Sequence, residues 1–297
     1  MPLFRRDHPR EQGSADPPAS TVARTRGARE PGWRSFDDVA AIYSRSLELK
    51  TEPPAADLIE LLQVPTGARV LDVGTGTGAA ARHAAAAAGE AGLVVGVDPS
   101  VGMVREAASR DAGPRYAAST SIDLPFRDGT FDRLAGAFVI SFFTDYRTAL
   151  FELLRVLRPG GRAGFAAWAE GEDQDEFRRA WAEVQEEFAE PEVLADAHHE
   201  AVPWEELFSN KDRLKDALHD AGLRDIWIER RSYRVETTTE QYLTGREITP
   251  TGRFLREMLG DELWPSFQRR AREVFASRFA ERFTDFHEAL LAVGHKP

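Results

Sequence analysis

The chain contains no cysteine. That excludes disulfides, thiolate catalysis and thiolate-ligated metal together. Long hydrophobic runs are also missing: no stretch reaches membrane-spanning length, and the opening MPLFRRDHPREQGSADPPAS has Arg and Asp where a secretory leader would need apolar residues. The cytoplasm is the expected compartment, and no membrane partner is expected. Positive charge is in short supply, 38 Lys and Arg against 49 Asp and Glu, a net charge of −11. A broad nucleic-acid-binding face is therefore not expected, and a small molecule is the expected partner. Nothing in the composition bears on oligomeric state. What remains is a chain of 297 residues, 42% hydrophobic, enough for one substantial core with a smaller appended region.

Composition and periodicity divide the chain into five parts. Residues 1–32, rich in Pro, Arg, Asp, Gly and Ser, read as a flexible tail. Residues 33–64 hold two helical segments, broken near Pro53 and Pro54, that form an N-terminal cover. Residues 65–170 alternate short apolar runs with helical patterns: ARVLDVG, GLVVGVD, PRYAAS, FDRLAGAFVIS and AGFAAWA read as strands, with RPGGR as the turn before the last. Residues 171–222 have helical periodicity and read as an inserted lid. Residues 223–297 complete the sheet, beginning with RDIWIERRSYRVE and carrying a further helical insertion. The expected class is α/β, with a doubly wound, mostly parallel sheet whose active loops lie at the carboxyl ends of the strands.

The first strand runs into VLDVGTGTGAA. Gly74, Gly76 and Gly78 stand at the strand-to-helix turn, where absent side chains allow unusual backbone angles and close approach of a ligand. The dinucleotide pattern G-x-G-x-x-G/A is met by Gly74, Gly76 and Ala79, so the glycines alone leave NAD open. Asp72, two residues before the first glycine, would repel a diphosphate and suits a cationic amino group. Its alternative role is to order the loop. Asp98 ends the second strand, where a carboxylate accepts both hydroxyls of a ribose; the alternative is a helix cap followed by Pro99.

Taken in order, VLDVGTGTG, VVGVDPSVGMVREA, LPFRDGTFDRLAGAFVISFFTD and ELLRVLRPGGRAGFAAWA resemble the class I S-adenosylmethionine-dependent methyltransferases, in particular the group including the ubiquinone and menaquinone biosynthesis enzymes and related natural-product methyltransferases. The resemblance covers roughly residues 68–169, and HEALLAVGHKP is similar to the family's last, antiparallel strand, implying seven strands in all. It implies that Asp72, Gly74, Thr75, Gly76 and Gly78 hold the methionine moiety of S-adenosylmethionine and Asp98 the ribose, with Pro99 beside it. It also implies that Gly102 or Met103 packs on adenine. Thr120 stands where such proteins have an acid that accepts the adenine amino group, leaving Ser121 and Ile122 to supply backbone contacts.

The acceptor side is read from placement. Phe142, Phe143, Tyr146 and Trp168 follow the fourth and fifth strands and are expected to line a partly apolar pocket. His198 and His199 are the expected candidates for a general base, with Glu200 and Asp145 behind them. Two adjacent histidines without a third ligand give no metal site. The expected function is in-line methyl transfer to a small, partly apolar metabolite. A non-methylating enzyme using the same cofactor, an NAD-dependent oxidoreductase and a non-catalytic binding protein remain the alternatives.

Overall fold

The computed structural model describes residues 35–171 and 176–297, so the expected tail over residues 1–32 and the first part of the expected lid lie outside the described residues. The described chain opens with helices α1 (Ala40–Ser46) and α2 (Glu48–Leu62). Five strands and three helices follow: β1 (Arg69–Val73), α3 (Ala79–Ala88), β2 (Leu93–Asp98), α4 (Val101–Arg110), β3 (Arg115–Ala118), β4 (Phe131–Ala137), α5 (Tyr146–Val156) and β5 (Leu157–Trp168). Then come α6 (Glu176–Glu186), α7 (Pro191–Ala201), α8 (Glu205–Phe208), α9 (Lys211–Asp220), β6 (Arg224–Thr238), α10 (Thr239–Glu247), α11 (Pro250–Arg278) and β7 (Arg282–His295).

The seven strands form one sheet in the order β3-β2-β1-β4-β5-β7-β6. The first five are parallel to one another, and β7 runs antiparallel between β5 and β6. The expected doubly wound, mostly parallel α/β sheet is thus present. Strand order reverses between β1 and β4, and a crevice opens at such a point beyond the carboxyl ends of the strands. The β-branched and leucine runs of β1 and β2 are buried because helices cover both faces. On one face α5, α8 and α9 pack with Leu134, Phe165 and Leu290. On the other, α2 and the alanine-rich α3 pack with Val70, Val94 and Leu291. A third apolar cluster, with Trp181, Tyr242, Phe267 and Phe275 at its centre, joins α6, α7, α10 and α11 into a helical cap.

Three local readings change. Pro53 and Pro54 lie inside α2, and the break falls at Leu47 instead. Proline's φ is already helical, and near the start of the helix each ring removes only one bond, to Leu49 or Lys50. The fourth strand ends at Ala137, because Phe138 takes φ +59° and Ile140–Phe142 form a single 3-10 turn. The segment 171–222 does not act as one layer: α6 and α7 belong to the cap, whereas Phe208, Leu214 and Leu218 of α8 and α9 are buried against the sheet. No described helix is long and apolar enough to cross a membrane.

Candidate functional site

The glycine turn leaves β1 at the switch point. Gly74 and Gly76 have φ of +63° and +52°, the left-handed region that favours glycine. A Cβ on Gly74 would stand 2.1 Å from Val139 Cγ2, so only glycine lets the turn pack against the end of β4. At Gly76 a Cβ would meet nothing within 4 Å, which leaves open space over the loop. Thr75 N donates to Val97 O at 3.0 Å, tying the turn to β2.

Two carboxylates flank this turn. Asp72 is 1% exposed; its Oδ2 accepts from Thr75 Oγ1 at 2.7 Å, while Oδ1 is buried without a hydrogen-bond partner. Burial outweighs the Thr75 bond and pushes its carboxyl up to about 7. Asp98 accepts from Gly76 N and Ser100 N, both at 2.9 Å, and its pKa is also raised by burial. It is not the helix cap: Ser100 caps α4 by accepting from Met103 N at 3.1 Å. With one bond per oxygen, the Asp98 carboxylate still has acceptor capacity for a diol.

The N-terminal segment closes over the turn. Glu48, 2% exposed, accepts from Thr77 Oγ1 at 2.5 Å and is ion-paired with Arg82 of α3 and Arg110 of α4, joining α2 to the loop and both following helices. Asp37 accepts from Ser100 Oγ at 2.7 Å and Gly102 N at 2.8 Å. A Cβ on Gly102 would lie 2.2 Å from Asp37 O. The Gly102 backbone is therefore occupied by the N-terminal segment, and Met103 is 3% exposed in the core. Neither presents an open adenine surface in this state. Pro99, Thr120 and Ile122 are exposed and Ser121 is half-buried beside the end of β3. The cavity lined by Tyr43, Thr51, Asp72, Gly74, Gly76 and Ala137 has a volume of about 40 Å³. A small-molecule site of ordinary size is about 300 Å³ or more, so this cavity would have to widen to take one.

The expected acceptor residues separate. Trp168 stacks on Phe138 with ring centroids 4.0 Å apart, forming a wall beyond β4 and β5. Phe142 is exposed and its ring meets Phe36 at 5.9 Å. Phe143 is buried in the sheet core, and its carbonyl accepts from Trp204 Nε1 at 2.7 Å. Tyr146 packs edge-on against Trp204 and Phe208. Phe143 is thus a core residue and Tyr146, half-buried, packs against that core, because the turn after β4 folds back under α8.

The histidine pair also divides. His199 is exposed on α7. His198 is half-buried, pairs through Nε2 with Glu205, and is protonated more readily than an ordinary histidine because of that bond. Asp145 caps α5, accepting from Arg147 N and Thr148 N. A different histidine faces the aromatic wall: His287 of β7, 5% exposed, has its ring 5.6 Å from that of Trp168. Its Nε2 lies 3.0 Å from Asp285 Oδ2, an oxygen also paired with Lys50 of α2. Burial lowers the pKa of His287, whereas Asp285 is held at about 2: burial would raise it, but the His287 bond and the Lys50 charge outweigh that. Asp285 and His287, two residues apart in a strand, lie on one face, and this was the available sequence signal. Among the described residues no group of three or more His, Asp or Glu side chains is placed to hold a metal ion.

Residues 71–165 match the family described as a methyltransferase domain. The nocamycin O-methyltransferase of Saccharothrix syringae is 31% identical over 206 residues, 64% of this chain and 71% of that protein. The chain belongs to the class I S-adenosylmethionine-dependent methyltransferases. The ubiquinone/menaquinone biosynthesis C-methyltransferase UbiE of Geobacter sulfurreducens is 40% identical over 111 residues, 35% of this chain. The demethylmenaquinone methyltransferase of Bacillus licheniformis is 32% identical over 146 residues, 48% of this chain. The chain spans about half the length of these last two relatives, 43% and 62%. The fold is shared with the YcgJ protein of Bacillus subtilis, at a TM-score of 0.51 and 20% identity over 82% of this chain and 98% of that one. It is shared also with phosphoethanolamine N-methyltransferase 2 of Haemonchus contortus, at a TM-score of 0.52 and 18% identity over 89% and 60%.

S-adenosylmethionine is the cofactor of this family, and the cleft residues of this chain fit it. A buried carboxylate oxygen without a partner suits an ammonium group, the second carboxylate has room for a diol, and the space over Gly76 admits a ligand at the main chain.

Proposed function

We propose that this protein transfers a methyl group from S-adenosylmethionine to a small, partly apolar metabolite by direct in-line attack. The observation that carries the proposal is the pairing of Asp72 and Asp98 on either side of one glycine turn at the switch point. When bound, the cofactor supplies an electrophilic sulfonium methyl. Asp72 would hold its amino group, with Thr75 fixing the carboxylate; Asp98 would hold the ribose hydroxyls, with the amides of Gly76 and Ser100 fixing that one. Gly74, Gly78, Pro99, Met103, Thr120, Ser121 and Ile122 are the remaining assigned contacts, and that of Gly102 requires the N-terminal segment to move away from α4, since Asp37 occupies its amide.

The chain's part in the reaction is positioning and exclusion of water. Tyr43 and Thr51 roof the cleft, and the stacked Phe138 and Trp168 rings present an apolar surface to the acceptor. His287, neutral because burial lowers its pKa and oriented by Asp285, is the group best placed to take a proton from a protic acceptor. His198, committed to Glu205, is less free to do so.

The test is incubation with S-adenosylmethionine labelled in its methyl group and a fractionated small-molecule extract. Label in a product heavier by one methylene supports methyl transfer. Cofactor turnover with label in no product, or a product heavier by a different group, favours the non-methylating alternative.

A further inference from the structure

Between the Phe138 and Trp168 wall and the helical cap lies a polar cluster that the cofactor assignment does not use. Lys50, 9% exposed, pairs with Asp285 and stands 4.5 Å over the Tyr242 ring. One turn along α10 from Tyr242 is Arg246, whose Nε is buried and has no hydrogen-bond partner among the described residues. Arg246 lies near enough to Lys50, His198 and Glu205 to act on all three charges, and Arg178 of α6 acts on Lys50, Glu205 and His287. Of the cluster's two carboxylates, Glu205 pairs with His198, and Asp285 gives its Oδ2 to Lys50 and His287 while its Oδ1 is buried without a hydrogen-bond partner among the described residues. The guanidinium of Arg246 is left as a partly desolvated cation with no carboxylate of its own among the described residues. An uncompensated cation in such a place is costly, and a bound anion removes the cost.

We propose that this cluster seats a carboxylate of the acceptor, with Arg246 as its principal partner, so that the substrate class is a small carboxylic acid with an apolar or aromatic body. The body would lie on Trp168 and Phe138, which continue from the cluster towards Ala137 and the glycine turn. A guanidinium matches a carboxylate with two parallel donors, which fixes orientation as well as affinity. The inference rests on the methyl-transfer reading for its placement beside the cofactor, but it is tested without turnover.

The experiment titrates the protein, saturated with S-adenosylhomocysteine, with benzoate and separately with its neutral counterpart benzyl alcohol, by calorimetry. Benzoate should bind about tenfold or more tightly than benzyl alcohol, the scale of one charge-assisted hydrogen bond. Arg246→Gln should remove that preference with S-adenosylhomocysteine affinity unchanged, and Arg246→Lys, which keeps the charge, should retain part of it. Equal binding of the two probes, no saturable benzoate binding, or equal loss in the Gln and Lys variants overturns the proposal. Failure of the wild-type protein to bind S-adenosylhomocysteine counts instead against the cofactor reading, and the benzoate comparison then proceeds on the protein alone.

Discussion

Asp72→Asn separates the two roles of the carboxylate before the glycine turn. The side chain is buried, one of its oxygens lacks a partner, and its pKa rises from the ordinary 3.8 to about 7. Between those two values the folded protein holds a proton that the unfolded chain has released. Stability therefore falls as pH rises through this window, and the full penalty is reached above about pH 7. The difference corresponds to about 4 kcal/mol. Asparagine keeps the shape and the acceptor for Thr75 Oγ1 but never ionises. Urea unfolding from about pH 4 to about pH 8 should show the variant matching wild type at the acid end and exceeding it by up to about 4 kcal/mol at the alkaline end. The same change should weaken S-adenosylhomocysteine binding by about 1.5 to 3 kcal/mol at neutral pH, through loss of the charge opposite an ammonium group. A stability difference that does not change with pH would refute the assignment of the raised pKa to Asp72. Unchanged affinity would refute its role towards the amino group.

Three further substitutions test the surroundings of the turn. Glu48→Gln leaves Arg82 and Arg110 without their shared carboxylate and should cost about 3 to 5 kcal/mol, read as a lowered urea midpoint. Gly76→Val puts a branched side chain at φ +52° in the open space over the loop; it should abolish S-adenosylhomocysteine binding in calorimetry while the circular dichroism spectrum stays native. Asp37→Ala frees the Ser100 hydroxyl and the Gly102 amide, so stopped-flow association of S-adenosylhomocysteine should be faster, by about tenfold or more for the two charge-assisted bonds released; an unchanged rate would mean that this segment does not gate the cleft.

The sheet was legible because its strands carry strong local signals, buried β-branched runs and glycine turns, whereas Asp145, read as a candidate base, proves to be a helix cap. Asp72, Asp98 and the glycines were legible for the same reason, since their positions follow from strand ends. What was not legible depends on distant partners. Lys50 gains its meaning from Asp285, 235 residues away, and nothing near it in sequence announces that pairing. Gly102 and Met103 have the right spacing for an adenine contact, but Asp37, 65 residues earlier than Gly102, takes the amide in this state. Phe143 and Tyr146 follow a strand end as pocket residues do, yet the left-handed turn at Phe138 carries them under α8, Phe143 into the core and Tyr146 against it. Helical periodicity likewise identified the segment after β5 without indicating that α9 would cover the sheet and α6 the cap, because each helix has one apolar face and the pattern does not say what that face packs against.

The central claim is that the cleft bounded by Asp72 and Asp98 takes S-adenosylmethionine, and calorimetric titration of S-adenosylhomocysteine against wild-type protein and Asp98→Ala, with NAD as the competing ligand, tests it most directly. The account predicts saturable binding of S-adenosylhomocysteine to wild type, a loss of about 1.5 to 3 kcal/mol in folded Asp98→Ala, and no heat from NAD. Equal affinity in the two proteins, or binding of NAD in place of S-adenosylhomocysteine, would contradict it.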